Sequence, residues 1–432
     1  MNFDRMRALL LEQAIRGELV PQLDSEGVVE QMRDAPEEIP FEIPEKWKWA
    51  SLKVLVERTK QTIPEEEFTY IDVASIENFQ VRATKKVKAS EAPSRARKIA
   101  EAGMVLFATV RPYLKNICIV PNIEGSVIAS TAFATMICTK HLDNKYLLYV
   151  LRSDFFTDLV KGKQRGISYP AISDKDFYSL SIPVPPIEEQ KRIVAKLEKV
   201  FAEIDRAEKA YQELQTLSDA LTKQILQKAI EGKLVSQLDS EGVVEQIGEV
   251  PEEVPFEIPE SWKWVTLSKL VPNIVDCPHS TPKYSTEETD FRAIDTNCIS
   301  SDGKIKSWRF VNEEIYKKRV KRLKPEKDDI IYTREGSIGR AARLPANLSV
   351  CMGQRVMLIR PGEYVESKYL QWFLMSPYAL MYLTQQQRGI GVKHINVSDV
   401  KKLPIAVPPL LEQRRIVEKL EELLKQVEAL KA

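Results

Sequence analysis

The sequence predicts an α+β protein: two globular α/β domains separated by an antiparallel pair of long helices, in a pseudo-twofold, circularly permuted duplication. Three observations predict it: a repeat running through the whole chain, a long heptad run without proline or glycine, and a net positive charge concentrated in the repeat interiors. The 432 residues suit about three average domains by length. With 44% hydrophobic and 29% charged residues, the composition is that of a chain that buries cores.

The repeat organises everything else. Residues 14–49 and 229–264 are identical at 27 of 36 positions, at a fixed offset of 215. Residues 179–200 (SLSIPVPPIEEQKRIVAKLEKV) match 402–423 (KLPIAVPPLLEQRRIVEKLEEL) at an offset of 223. The interiors keep islands of likeness. Ile71-Asp72 aligns with Ile294-Asp295, residues 144–153 with 367–376, and Gln164-Arg165-Gly166-Ile167 with Gln387-Arg388-Gly389-Ile390. Each repeat therefore has one scaffold and a diverged filling. The expected segments are an N-terminal helix with acidic linker (1–49), a first domain (50–186), a central helix with the repeated linker (187–264), a second domain (265–409) and a C-terminal helix (410–432).

From Ile187 to Ile230 there is neither proline nor glycine. Pro185-Pro186 suit a helix start, Glu188-Glu189 favour its positive end, and Gly232 supplies the stop. Ile193, Leu197, Val200, Ile204, Ala207, Tyr211 and Leu214 are spaced as a heptad seam, which then slips to Leu217, Leu221 and Ile225. Such a helix is a rod of about 66 Å. The second copy carries Ile416, Leu420, Leu423, Val427 and Leu430, and runs out at Ala432. Its missing half stands at the start of the chain, where Asp4, Met6, Leu10 and Ala14 align with Asp219, Leu221, Ile225 and Ala229. The two terminal helices are expected to dock near one another and together pair with the central one. A heptad seam also serves plain dimerisation, but rods alternating with globular segments favour pairing within the chain.

Residues 50–186 carry a net charge of +5 and residues 265–409 one of +8, while the remainder carries −12. Paired basic domains on an acidic frame suit a polyanion bound at two places; an ordinary solvated surface can carry as much. Each interior has a β-rich run that ends in a basic loop. The first is residues 104–116, with Arg111, Tyr113 and Lys115; the second is residues 329–340, with Arg334, Ser337 and Arg340 around Gly336 and Gly339. Arginine pairs with phosphate or reads guanine edges, and glycine lets backbone approach a duplex. Gln164, Arg165, Gln354, Arg355, Arg388 and Lys393 are further DNA-binding candidates, each with an ordinary surface position as its plain alternative. Trp47, Trp49, Trp262 and Trp264 alternate at strand period where acidic linker meets basic domain, and read as core packing rather than base stacking.

Other chemistry is missing from the pattern. Five scattered cysteines with no CxxC pair argue against a disulfide framework or zinc site and suit a reducing cytoplasm. There is no G-x-G-x-x-G after a strand, no P-loop lysine, no Asn/Asp-Pro-Pro-aromatic tetrapeptide, no HExxH and no GxSxG. No catalytic residue, metal or cofactor is expected, and no run approaches the roughly 18–20 apolar residues of a membrane span. A fused enzyme and a scaffold that binds no DNA remain the rival classes.

The motif Pro183-Val184-Pro185-Pro186-Ile187-Glu188-Glu189-Gln190-Lys191-Arg192-Ile193-Val194 recurs as Ala406-Val407-Pro408-Pro409-Leu410-Leu411-Glu412-Gln413-Arg414-Arg415-Ile416-Val417, with Ala406 in place of the first proline. With the duplication, the permuted ends and the heptad rods, it resembles the specificity subunit of type I restriction–modification systems, over essentially the whole chain. The resemblance implies two target-recognition domains, each reading one half of a bipartite double-stranded DNA sequence, and helices that fix the gap between halves. It also implies two methyltransferase subunits as partners, restriction subunits in the full complex, and no catalysis by the chain itself.

Overall fold

The computed structural model describes residues 2–30, 39–166, 168–248, 250–251, 254–385 and 394–431. It forms two compact units, residues 1–210 and 211–432, divided within the central helix Ile187–Ile230.

In the first unit the N-terminal helix Phe3–Arg16 starts on Asn2, whose side chain accepts the Arg5 N–H. It ends at Gly17, in the left-handed region with φ 76°. A Cβ there would overlap the Pro44 ring and lie 3.2 Å from that of Trp47, so both backbone and space demand glycine. Leu11, Ala14 and Ile15 are buried with Trp47 against Ile193, Val194, Leu197 and Phe201 of the central helix. The pairing is antiparallel. Arg7 reaches Asp205 and Glu208 at 2.6 Å, while at the other end Arg192 grips Glu26 and the Pro21 carbonyl.

The second unit repeats this packing with the other half of the central helix. Leu226, Ala229 and Ile230 are buried with Trp262 against Ile416, Val417 and Leu420 of the C-terminal helix Leu410–Ala429. Gly232 (φ 71°) faces Pro259 and Trp262 as Gly17 faces Pro44 and Trp47. Arg415 grips Glu241 and the Ser236 carbonyl, and Lys431 reaches Asp219 at 2.7 Å, so this pair is antiparallel as well. Each terminal helix thus has its own half of the central helix as partner.

The Glu-Gln pair of the repeated motif does more than start a helix. Glu189 is buried and accepts the Trp47 indole N–H at 3.1 Å and the Gln22 amide at 2.5 Å. Burial pushes its carboxyl above the ordinary range, against the downward pull of those two donors. Glu412 accepts from Trp262 at 3.0 Å and Gln237 at 2.7 Å. Gln190 donates to the Pro185 and His141 carbonyls and accepts the Asp143 N–H; Gln413 does the same with Pro408, Tyr364 and Glu366. Each clamp fastens linker, domain and helix start at one point.

The seam is shorter than its heptads. Ile193, Leu197, Ile416, Leu420 and Val427 are buried; Val200, Ile204, Tyr211, Leu214 and Leu423 are half-buried; Ala207 is exposed. The expected slip is corrected. Leu217 is 68% exposed and Leu221 lies outside too, while Ser218 is 2% exposed. The 3-4 spacing runs on from Leu214 through Ser218 to Ile225, and hydrophobicity alone conceals that a serine keeps the register.

The two domains share their closing strands and one sheet. Lys48–Ser51 pairs antiparallel with Ser181–Val184, and Lys263–Thr266 with Pro404–Val407, so entry and exit strands close each domain side by side. One antiparallel sheet orders Val56–Glu57, Phe133–Cys138, Val105–Ala108 and Ile117–Ile119; its counterpart orders Asn273–Asp276, Val356–Arg360, Ile330–Thr333 and Ala341–Arg343. A second sheet is built on a parallel pair, Phe68–Ile71 with Val127–Ser130 and Phe291–Ile294 with Ser349–Met352. Here the domains part. Strand Ala96–Ile99 edges the first pair, whereas helix Glu313–Arg319 packs on the second.

Candidate nucleic-acid interface

In the first domain strand Val105–Ala108 runs into the loop of Arg111, Tyr113 and Lys115. The Thr109 N–H bonds to the Ala132 carbonyl at 2.8 Å, and its own carbonyl accepts the Ile172 N–H at 3.0 Å. Val110 bridges Ala171, and Arg165 exchanges both backbone hydrogen bonds with Ala171. The two stretches that the sequence separates by about fifty residues, Arg111–Lys115 and the backbone pair Arg165 and Ala171, are therefore brought together. Arg111, Tyr113 and Arg165 are exposed, and Gln164 is half-buried. The Arg111 guanidinium lies 4.8 Å from the centre of the Tyr169 ring, which is 71% exposed. Lys115 is engaged elsewhere. Its ammonium donates to the Arg152 carbonyl and to Asp154, both at 2.9 Å, and pins the loop to the helix below.

The second domain keeps this lattice with other side chains. Arg334 takes the place of Thr109: its N–H bonds to the Arg355 carbonyl at 3.0 Å and its carbonyl accepts the Ile395 N–H at 2.9 Å. Glu335 bridges His394 as Val110 bridges Ala171. The Thr333 hydroxyl donates to the Ser337 carbonyl and accepts the Arg340 N–H, which folds the glycine loop back on itself. The side chain of Arg334 is only 12% exposed and paired with Asp276, and Arg340 donates to the Ile299 carbonyl at 2.8 Å. Both arginines brace the loop from beneath. Arg355 reaches water, and Gln354 is half-buried. Arg334, Gln354 and Arg355 border an open cleft of about 220 Å³ with Cys277, Pro278, His279 and Glu335. Arg388 and Lys393 lie outside the described residues.

Sequence reasoning missed Tyr169, His279 and Glu335. An aromatic before proline in a turn, as Tyr169-Pro170, was the available signal for the first; only the fold brings the other two to the cleft. It also missed two internal cations. Lys98, on the strand peculiar to the first domain, donates to the Phe133 carbonyl at 2.6 Å and to Asp174. Arg319, on the helix peculiar to the second, donates to the carbonyls of Met352, Gly353 and Ser280 at 2.7, 2.6 and 3.0 Å. It thereby fixes the Pro278–Ser280 wall of the cleft. Among the described residues no cluster of metal ligands occurs and no helix is long and apolar enough to cross a membrane.

Two copies of one backbone lattice, each on its own Trp-Glu clamp and furnished with different polar side chains, define a protein of paired recognition domains. The family model for the type I restriction modification DNA specificity domain matches residues 44–216 and 285–432, and the chain belongs to that family. It is similar to the type I restriction enzyme EcoEI specificity subunit of Escherichia coli, with 23% identity over 99% of this chain and 90% of that one. The MjaVIII specificity subunit of Methanocaldococcus jannaschii is 26% identical over 69% of this chain and 68% of that one. Among solved structures, the HsdS subunit from Thermoanaerobacter tengcongensis has a TM-score of 0.57 and 28% identity, covering 91% of this chain and 92% of that one. A chain solved in work on complex assembly and conformational transition of the type I R-M system reaches 0.71, also at 28% identity, covering 91% and 93%.

Proposed function

We propose that this chain is the DNA-recognition subunit of a type I restriction–modification complex. Residues 50–186 and 265–409 act as target-recognition domains, each reading one half of a bipartite duplex sequence. Arg111, Tyr113, Gln164 and Arg165 serve the first half, joined by Tyr169. Gln354 and Arg355 serve the second, and the sequence adds Arg388 and Lys393 to them. Lys115, Arg334, Ser337 and Arg340 hold the loops in shape. Residues 1–49, 187–264 and 410–432 form the frame, whose helices set the gap between halves and recruit two methyltransferase subunits. Restriction subunits join in the full complex. The chain works in the cytoplasm and carries out no chemical step; adenine methylation belongs to the partner.

The observation that carries this reading is the pair of matching backbone lattices with unlike side chains, one in each basic domain. Such an arrangement keeps the geometry of approach to a duplex while changing what is read. Methylome sequencing of cells that express the chain with its methyltransferase subunit tests it. One asymmetric bipartite motif is expected. Exchange of residues 50–186 for another such domain should then alter one half alone, and a change in both halves would defeat the modular reading. Whole helical turns inserted near Leu214–Leu217 should lengthen the tolerated gap.

A further inference from the structure

On the strength of that reading, we propose that Arg355 and Glu335 together select one G·C base pair within the half-target read by residues 265–409. The two side chains meet at the mouth of the cleft, Arg355 Nε 3.5 Å from Glu335 Oε2, with Arg355 60% exposed. That contact uses the inner nitrogen and leaves the two terminal nitrogens, the fork that grips O6 and N7 of guanine. Glu335 is the only ion-pair partner of Arg355 among the described residues.

The backbone is set for this task. Arg355 sits in the left-handed region with φ 62°, disfavoured for a side chain of its kind. Its carbonyl is held by the Arg334 N–H at 3.0 Å and by the Thr296 hydroxyl at 3.2 Å, a hydroxyl shared with the Glu335 carbonyl at 3.4 Å. One threonine thus fixes the spacing of the two charged residues. Strained backbone persists where the surroundings over-determine it, and it gathers at functional sites.

The match to the base pair is one of donors and acceptors. In the major groove guanine offers two acceptors and its cytosine an amino donor. Arginine supplies two donors and the carboxylate an acceptor, so all three contacts agree. Against A·T in the same orientation, the guanidinium meets the adenine amino group and the carboxylate meets thymine O4, like against like at both. In the first domain the equivalent lattice positions hold Ala132 and Val110, and the couple is absent there.

The test uses the full chain in complex with its methyltransferase subunits, on duplexes in which each pair of the mapped target is replaced in turn. One G·C pair in the second half should weaken binding by about 5- to 150-fold when changed to A·T. Arg355→Ala and Glu335→Ala should lose that discrimination at the same pair, with unfolding midpoints near that of the parent. Arg355→Lys keeps the charge without the fork and should recover general affinity but not the preference. Replacing the guanine by 7-deazaguanine should weaken the parent complex and leave Arg355→Ala indifferent. The proposal is overturned if Arg355→Ala keeps every preference, or relaxes an A·T pair or the first half. A parent complex with no sequence preference at all would sink the recognition reading and this inference with it.

Discussion

The two recognition domains solve one mechanical problem with different parts. In both, a buried cation donates to backbone carbonyls close to the lattice. The first domain takes Lys98 from a strand; the second takes Arg319 from a helix, at a place where the first has no helix. Charge and burial are retained, while the residue, its secondary structure and the carbonyls it bonds all differ: Lys98 meets Phe133, next to Ala132, and Arg319 meets Met352 and Gly353, ahead of Arg355. The lattice is what the duplication preserves, and the segments around it differ while each supplies a buried cation. The clamps behave in the opposite way: Trp47–Glu189–Gln22 and Trp262–Glu412–Gln237 are the same residues in the same bonds.

The largest expected effect tests the sameness of the clamps. Trp47→Ala and Trp262→Ala should each cost about 3–5 kcal/mol, since both indoles are buried and each leaves a buried carboxylate short of a donor. Denaturant unfolding measures this, and a clearly unequal pair of losses would break the equivalence. Next come the two cations. Arg319→Ala, which strips three carbonyls, should cost about 3 kcal/mol and Lys98→Ala about 2 kcal/mol. If the lattice is their purpose, each should disturb only its own half of the target, read by the same set of duplex variants. Arg334→Ala should cost about 1–3 kcal/mol of stability by leaving Asp276 without its partner, whereas the cognate Thr109→Ala should cost about 1 kcal/mol. A purely base-reading Arg334 would show lost affinity with unchanged unfolding.

The smallest effect is one of pH. The Arg415 guanidinium beside Glu241 holds that carboxyl below the ordinary range, against a smaller opposing effect of burial. A carboxylate whose folded pKa is depressed adds stability that is present above its unfolded pKa and is lost as the pH falls through the folded one. Acidification below the ordinary carboxylate range should therefore remove the Arg415–Glu241 contribution, and Glu241→Gln should flatten that part of the stability–pH curve. An unchanged curve would show that the pair adds nothing in water.

Much of the scaffold was legible in the sequence because it is written twice. The bounds of the central helix follow from Pro185-Pro186, Gly232 and the absence of breakers between them, all local signals. The permuted ends follow from the alignment of Ala14 with Ala229, and both are buried against the same kind of helix face. What stayed hidden depends on contacts across the fold. Glu189 reads as a charge at a helix start and is in fact a buried acceptor for a tryptophan 142 positions earlier. Ser218 keeps the register that hydrophobicity alone assigns to Leu217 and Leu221. Arg334 and Arg340 look like the two most promising bases of a glycine loop, yet both turn inward, because such a loop has backbone and carboxylate to satisfy before it has a ligand to meet.

The middle of the central helix has a consequence of its own. Between Phe201 and Ser218 none of its side chains is fully buried: Ile204, Tyr211 and Leu214 are half-buried, and Asp205 and Glu208 pair with Arg7. Helical residues with so little packing open at low free-energy cost. Amide exchange should be faster there than at the two packed ends of the helix, and a protease should nick this segment of the helix before either end.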